Sequence, residues 1–387
     1  MFITTDWNTP YRIATREYGG VGYYRAHGPA KVLRQKGFNV DVKGHEFADG
    51  LDKSNIFEEY KRAFEPYDLV VVKQIDTSNG GKFIGACKDL GIPIVMDLDD
   101  LITELDPDNP AYMDGYKEGD AKRALAIASL SMVDAVFVST QPLKDAYQEY
   151  LKKSLNIDMP IYVLPNCCDP TLWTKIKRDP QDTNTVLGWQ GSITHDSDLM
   201  LVIPTVQKLM DKYKDLYLSL TGGIRQETYD EMFIKTFNQD ALNRIMINRG
   251  TPSFKNFPEY LSRHPWDIGI IPLKDTKFTR AKSHIKWMEN SLVGVPTIAS
   301  KVYPYYMPVD GTDTIVDGET GLLVERPEQW EEYIELLYHD KKKRRYLARD
   351  ARNYVLGHWT YMNHAQKWSD AIVSVMNEGS KDLAQTR

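Results

Sequence analysis

Eleven short apolar runs, each followed by a segment of helical length, limit what this chain can fold into more than any other feature. They are Phe38–Lys43, Asp68–Lys73, Pro93–Asp97, Asp134–Ser139 and Ile161–Leu164, then Val186–Trp189, Leu216–Leu220, Arg244–Ile247, Asp267–Ile271, Pro296–Ala299 and Gly321–Val324. They lack the polar alternation of a half-exposed strand, which is how strands of a parallel sheet covered on both faces read. Helical stretches lie between them, among them Tyr24–Gln35 (ended by Gly37), Asp120–Met132 and Pro142–Lys153. Ser139, Thr140 and Gln141 before Pro142 give a helix-start signal. The polar stretch from Lys175 to Thr185, with Pro180, separates two such blocks and reads as a linker. The pattern predicts an α/β chain of two Rossmann-like, doubly wound parallel-sheet domains facing a cleft. Their expected bounds are 1–175 and 176–359, with a last helix over about 360–387 to which Trp359, Trp368 and Ile372 give an apolar face suited to docking.

The length fits this division, because one hydrophobic core rarely grows past roughly 250–300 residues and the chain has 387. Hydrophobic residues at 42% and charged residues at 26% exclude a disordered or collagen-like chain. No window approaches about 18 consecutive apolar residues, so no membrane-spanning helix is expected. The opening residues lack a basic stretch followed by an apolar run, so no secretory signal is expected. The three cysteines, Cys87, Cys167 and Cys168, cannot build a disulfide framework and have no zinc spacing, and the expected setting is cytoplasmic. The net charge is −6, and residues 1–170 hold 19 Lys+Arg against 26 Asp+Glu. That acidic half argues against a domain-wide nucleic-acid footprint. The one dense basic run, Lys341-Lys342-Lys343-Arg344-Arg345, reads as a solvated helix face.

Four segments carry residues suited to chemistry. In Glu17-Tyr18-Gly19-Gly20-Val21-Gly22-Tyr23-Tyr24-Arg25, after a possible strand at Tyr11–Thr15, glycines open a helix. There they admit a ligand to the backbone or serve a turn of positive φ. The third glycine of a dinucleotide fingerprint is replaced by Arg25, and no Walker sequence is present. Met96-Asp97-Leu98-Asp99-Asp100 puts carboxylates at a strand's carboxyl end, suited to a sugar hydroxyl, a helix cap or a base; metal ligation by Asp97-x-Asp99 is the lesser reading.

Leu187-Gly188-Trp189-Gln190-Gly191-Ser192-Ile193-Thr194-His195 offers Gly191 and Ser192 as donors at a helix start, with His195 to neutralise or hydrogen-bond a phosphate. The fourth segment runs from Phe278 to Ser300. Read as one helix, it sets Ile285, Met288 and Leu292 on an apolar stripe and Lys282, Lys286 and Glu289 on a polar one, with Gly294 closing it. Two ammoniums and a carboxylate on one face suit a diphosphate and ribose hydroxyls, and a solvated charged face explains the same spacing.

Together these residues resemble a retaining glycosyltransferase of the GT-B fold, in the broad family 4-like group, over nearly the whole chain. Gly19–Arg25 with Pro29–Leu33 resembles the family's first glycine loop, and Asp97–Asp100 the Asp-rich turn of one subgroup. Val138-Ser139-Thr140 and Val163–Asn166 with Asp169 look like the last strands of the N-terminal domain. Gly188–Ser192 with Thr194, His195, Asp198 and Leu199 is similar to the subgroup's C-domain opening. Glu289 followed by Gly294-Val295-Pro296 matches the second Glu of the Glu-x7-Glu motif, whose first Glu is replaced by Ala281.

The resemblance implies transfer of a sugar from a nucleotide-sugar donor, a UDP-sugar first, with retention and without a metal or other cofactor. Lys282, Lys286, Asp99 and Asp100 are the implied catalytic residues. Gly20, Gly22, Gly191, Ser192, His195, Gly222, Arg225, Arg280 and Glu289 are the implied donor ligands, and Tyr24, Arg25 and Asp97 face the acceptor. The acceptor is a glycan, a lipid-linked sugar, a protein or a hydroxylated base of viral DNA. Rival readings are a nucleotide-sugar epimerase of the same fold and a non-catalytic nucleotide-sugar-binding protein.

Overall fold

The computed structural model describes residues 1–3, 18–44, 47, 51–110, 112–173, 184–250, 252–309 and 311–385. The possible strand at Tyr11–Thr15 lies outside them, as does the linker apart from residues 184 and 185.

Two six-stranded, wholly parallel sheets form the framework. The first contains β1 (Phe2–Ile3), β2 (Val42–Lys43), β3 (Val70–Lys73), β4 (Ile94–Leu98), β5 (Ala135–Val138) and β6 (Ile161–Val163), in the order β2-β1-β3-β4-β5-β6. The second contains β7 (Thr185–Gly191), β8 (Leu216–Gly222), β9 (Ile245–Arg249), β10 (Ile268–Ile271), β11 (Thr297–Ser300) and β12 (Leu322–Val324), in the order β12-β11-β10-β7-β8-β9. The strand order reverses between β7 and β10, and a doubly wound sheet opens its ligand crevice at that point. All eleven expected runs contain a strand, although Phe38–Lys43 contributes only Val42 and Lys43. β1, two residues long, was not foreseen; it pairs Phe2 with both Val42 and Val71.

Burial on both faces explains the unbroken apolar runs. Val70, Val72, Ile94 and Met96 pack on one side of the first sheet with Phe64, Ile84 and Tyr147. Phe2, Val71, Val95 and Phe137 pack on the other with Leu33 and Trp368. The second side is supplied by α1 (Gly28–Gln35) and by the last helix of the chain. α1 continues a run that begins at Gly20–Gly22 and widens into a π-turn at Tyr23–His27.

Two short helices follow β10 and meet the first domain: α2 (Lys277–Arg280) and α3 (Ile285–Leu292). α4 (Lys341–His358) and α5 (Tyr361–Gln385) end the fold. Between α4 and α5 the chain passes Cys168, whose amide donates to the Trp359 carbonyl and whose carbonyl accepts from the Tyr361 amide. α5 then packs along α1. A Cβ on Gly28 would come within 2.2 Å of the Tyr361 ring, so this approach requires glycine. Tyr23 and Tyr24 of the first domain share one buried cluster with Phe254, Trp287, Met288 and Trp359 of the second.

The single helix expected through Lys282 and Glu289 is two helices. A capping box between Thr276 and Thr279 opens α2, which ends at Arg280 with Ala281 as its C-cap. Polar groups of the first domain then take the next turn: Thr140 Oγ1 donates to the Ala281 carbonyl at 2.8 Å, and Asn166 Nδ2 to Ser283 Oγ at 3.0 Å. Lys282 therefore sits in the break before α3 and off its face. The basic run also departs from a purely solvated face. Lys341, Lys342 and Arg345 are exposed, but Arg344 turns inward toward Asp267, 3.9 Å away.

Candidate functional site

Each carboxylate of Asp97, Asp99 and Asp100 is held by a different cation. Arg25, on the π-turn, makes a bidentate pair with Asp97 (2.8 and 3.0 Å), and both side chains are 2% exposed. It also donates to the Leu164 carbonyl at 2.5 Å and Asn166 Oδ1 at 3.1 Å. Lys73, ending β3, pairs with Asp99. Burial works against the Asp99 charge, yet Lys73, Arg25 and Lys282 together hold its carboxyl below the usual range. Lys282, from the second domain, reaches Asp100 Oδ1 at 2.5 Å. Arg25 and Asp97, read as acceptor contacts, are thus spent on each other inside the first domain. Both carboxylates of Asp97-x-Asp99 are paired with cations of their own domain.

A second cluster lies at the β7–β10 crevice and joins both domains. Glu289, on α3, accepts from Tyr24 Oη at 2.8 Å on one oxygen and from Gln190 Nε2 at 3.1 Å on the other. Burial pushes its carboxyl up to about 7. One turn earlier, Lys286 has its ammonium buried, with no hydrogen-bond partner. Its Nζ lies over the Trp189 ring, 5.6 Å from the centroid. Burial, opposed by Asp198, lowers its pKa to about 8. A buried ammonium without an acceptor carries a desolvation penalty that an anion in the crevice would relieve.

His195 Nδ1 lies 3.0 Å from Asp198 Oδ2. A carboxylate only accepts, so Nδ1 carries the proton and Nε2 is left as an acceptor in the neutral ring. Burial, with Lys286 nearby, drives its pKa down to about 4. In the ligand-free protein the neutral imidazole is therefore favoured, with Nε2 as a hydrogen-bond acceptor.

The remaining expected residues divide. Gly20 and Gly22 are helical and neither has positive φ, so the tight-turn reading of that loop fails. Gly191 ends β7 and Ser192, whose hydroxyl meets Thr194 at 2.6 Å, begins a 3₁₀ turn over Ile193–Leu201. Gly222, ending β8, has φ +110°, and a Cβ there would lie 1.9 Å from the Gly191 carbonyl oxygen. Arg225 precedes the helix Gln226–Tyr229 beyond that strand. Arg280 stands apart, closing an exposed pair with Asp275 at 2.6 Å.

Sequence reasoning missed Lys73, Gln190 and the Asp106–Asp108 turn. Thr276 donates to Asp106 at 2.8 Å, and Lys274 pairs with Asp108 at 2.5 Å. These two aspartates line a small recess with His195, Asp198 and Lys274. Lys73 could have been flagged as a lysine ending an otherwise apolar run, and Gln190 by its place beside Gly191.

Two doubly wound parallel sheets whose carboxyl ends face one cleft, with a last helix returning to the first domain, make up the GT-B fold. Among solved structures, Anabaena HepE in complex with UDP-glucose is similar to this chain with a TM-score of 0.65, over 96% of this chain and 99% of that one, at 14% identity. A glycosyltransferase from Rickettsia africae gives 0.62 over 98% of each chain at 12% identity. The pneumococcal O-GlcNAc transferase GtfA, in complex with UDP and GlcNAc, gives 0.53 over 81% of this chain and 59% of that one at 14% identity. At such identities the likeness establishes the fold. No protein-family model matches the sequence, and no curated protein matches it.

Proposed function

We propose that the protein is a retaining, metal-independent glycosyltransferase that moves a sugar from a nucleotide-sugar donor, a UDP-sugar first, to an acceptor hydroxyl. The observation that carries this reading is Lys286, a buried ammonium without a hydrogen-bond acceptor at the strand-order reversal of the second sheet. A diphosphate placed there supplies the missing acceptor, and Glu289 on the same helix faces the ribose. Two of the solved neighbours named above, HepE with UDP-glucose and GtfA with UDP and GlcNAc, support a donor of this class.

In the reaction the acceptor oxygen forms a bond to the anomeric carbon while the bond to the diphosphate oxygen breaks. The acceptor proton passes to the departing phosphate on the same face. Negative charge grows on the leaving diphosphate, and pre-positioned Lys286 and Lys282 stabilise it without a cation from solution. His195 Nε2 accepts from a donor-sugar hydroxyl. Asp100, freed from Lys282 as the diphosphate takes that lysine, orients the acceptor. Closure of the domains excludes water.

The test is release of UDP from a panel of UDP-sugars, with and without EDTA, and the anomeric configuration of the sugar product by NMR. Release that survives EDTA and yields the retained anomer is expected. Release only with added manganese overturns metal independence, an inverted anomer overturns retention, and release from no nucleotide sugar overturns the transferase reading.

A further inference from the structure

Glu289, in the proposed donor site, has its carboxylate gripped from both domains. The Tyr24 hydroxyl comes from the π-turn of the first domain and reaches Glu289 Oε1 at 2.8 Å, while Gln190 holds Oε2 from the second. Tyr24 has no freedom to do otherwise. Its ring is 3% exposed and packs edge-on against Tyr23 (4.9 Å between centroids) and Phe254 (5.1 Å). Its carbonyl accepts from Tyr361 Oη at 3.1 Å, so α5 fixes the backbone behind it. Burial and the neighbouring Glu289 charge raise the Tyr24 pKa well above its ordinary value, so the phenol stays a donor. A carboxylate has about four acceptor positions. Tyr24 and Gln190 use one on each oxygen, and one on each is left, the arrangement a vicinal diol requires.

We propose that Tyr24 is a positioning residue for nucleotide binding: from the first domain it fixes the orientation and charge of the Glu289 carboxylate in the second, so that the ribose contact and domain closure form together. The inference rests on reading Glu289 as the ribose ligand. Three titratable groups face Glu289: Tyr24 from the π-turn, Lys286 from its own helix, and Tyr305 from the segment after β11. Of these, Tyr24 is the hydrogen-bond donor. Without its hydroxyl, a carboxyl that burial already pushes up to about 7 loses a donor that favours its charged form, and its pKa rises further.

The experiment is calorimetric titration of the full chain with UDP from pH 6 to pH 9, for wild type and Tyr24→Phe, with thermal melts to show that the variant is folded. Phenylalanine keeps the ring packing. The variant is expected to bind UDP about tenfold more weakly at pH 7 and to recover to within about twofold of wild type at pH 9. The ionisation of UDP itself is common to both proteins and cancels. A lost hydroxyl with a merely structural role leaves the two pH profiles parallel. Parallel or identical profiles in a folded variant overturn the role of Tyr24 while leaving the donor site standing. Absence of UDP binding in wild type overturns the donor-site reading and this inference with it.

Discussion

Lys282 Nζ lies 2.5 Å from Asp100 Oδ1, and this pair ties the second domain to the first at the edge of the cleft. Of the three cation–carboxylate pairs at the Asp-rich turn it alone crosses between domains. It is also the most accessible, with Asp100 44% exposed. A pair this open contributes little to stability, so it can be exchanged for a ligand at small cost.

Removing the competitor for Lys282 should therefore help the donor. Asp100→Asn is expected to tighten UDP binding by about two- to fivefold, on the scale of a partly exposed ion pair. Lys282→Ala should lower turnover more than UDP affinity, because its contact strengthens as phosphate charge develops. Calorimetry for the first and steady-state kinetics for the second check this. An Asp100→Asn protein that binds UDP more weakly contradicts the exchange.

Arg25 and Asp97 should behave as part of the fold. Both are almost fully buried, so Asp97→Ala leaves the guanidinium inside the first domain without its counter-charge and should cost about 3–5 kcal/mol in urea unfolding. A stable Asp97→Ala protein that has lost only acceptor affinity would restore the acceptor-binding role expected from sequence.

The elevated pKa of Glu289 has a consequence for stability. Its folded value, about 7, exceeds the 4.5 of an ordinary Glu, so the fold favours the neutral form. Stability from this group is full below pH 4.5 and declines as pH rises through 7. Glu289→Gln escapes the cost, and in ligand-free protein it should be more stable than wild type by about 1–3 kcal/mol at pH 8. At pH 4, below the ordinary Glu value, the gap should be near zero. The same substitution should weaken UDP binding by roughly ten- to a hundredfold. Equal melts at both pH values would show that the carboxyl is not strained by burial.

How much of this was legible in the sequence depends on distance along the chain. β3, β4, β5, β10, β11 and β12 were readable because each is a short run buried along its whole length, whereas the outer strands β6 and β9 are only partly buried and showed through their Ile and Val content. β1 was not readable, since Phe2–Ile3 is too short to show a pattern and exists only through its partners. Asp97, Asp99 and Asp100 were seen as carboxylates at a strand end, but their cations lie 72, 26 and 182 residues away. No local spacing reports such pairings. The helical stripe through Lys282 failed because Thr140, of the other domain, takes the Ala281 carbonyl that a continuous helix would have used, while Asn166 holds the Ser283 hydroxyl in the break. Lys286 and Glu289, within one helix, kept their expected relation. The His195–Asp198 pair is three residues apart and was readable in principle; its effect, a neutral imidazole, needed the burial.

The donor site is tested most directly by titrating wild type and Lys286→Ala with UDP, GDP, ADP and dTDP in turn at pH 7. Saturable one-to-one binding of UDP by wild type is expected, weakened at least about tenfold in the variant, as the loss of a charge-assisted hydrogen bond requires. Wild type that binds none of the four, or a folded Lys286→Ala that binds as tightly as wild type, would contradict the assignment of the crevice as a nucleotide-sugar site.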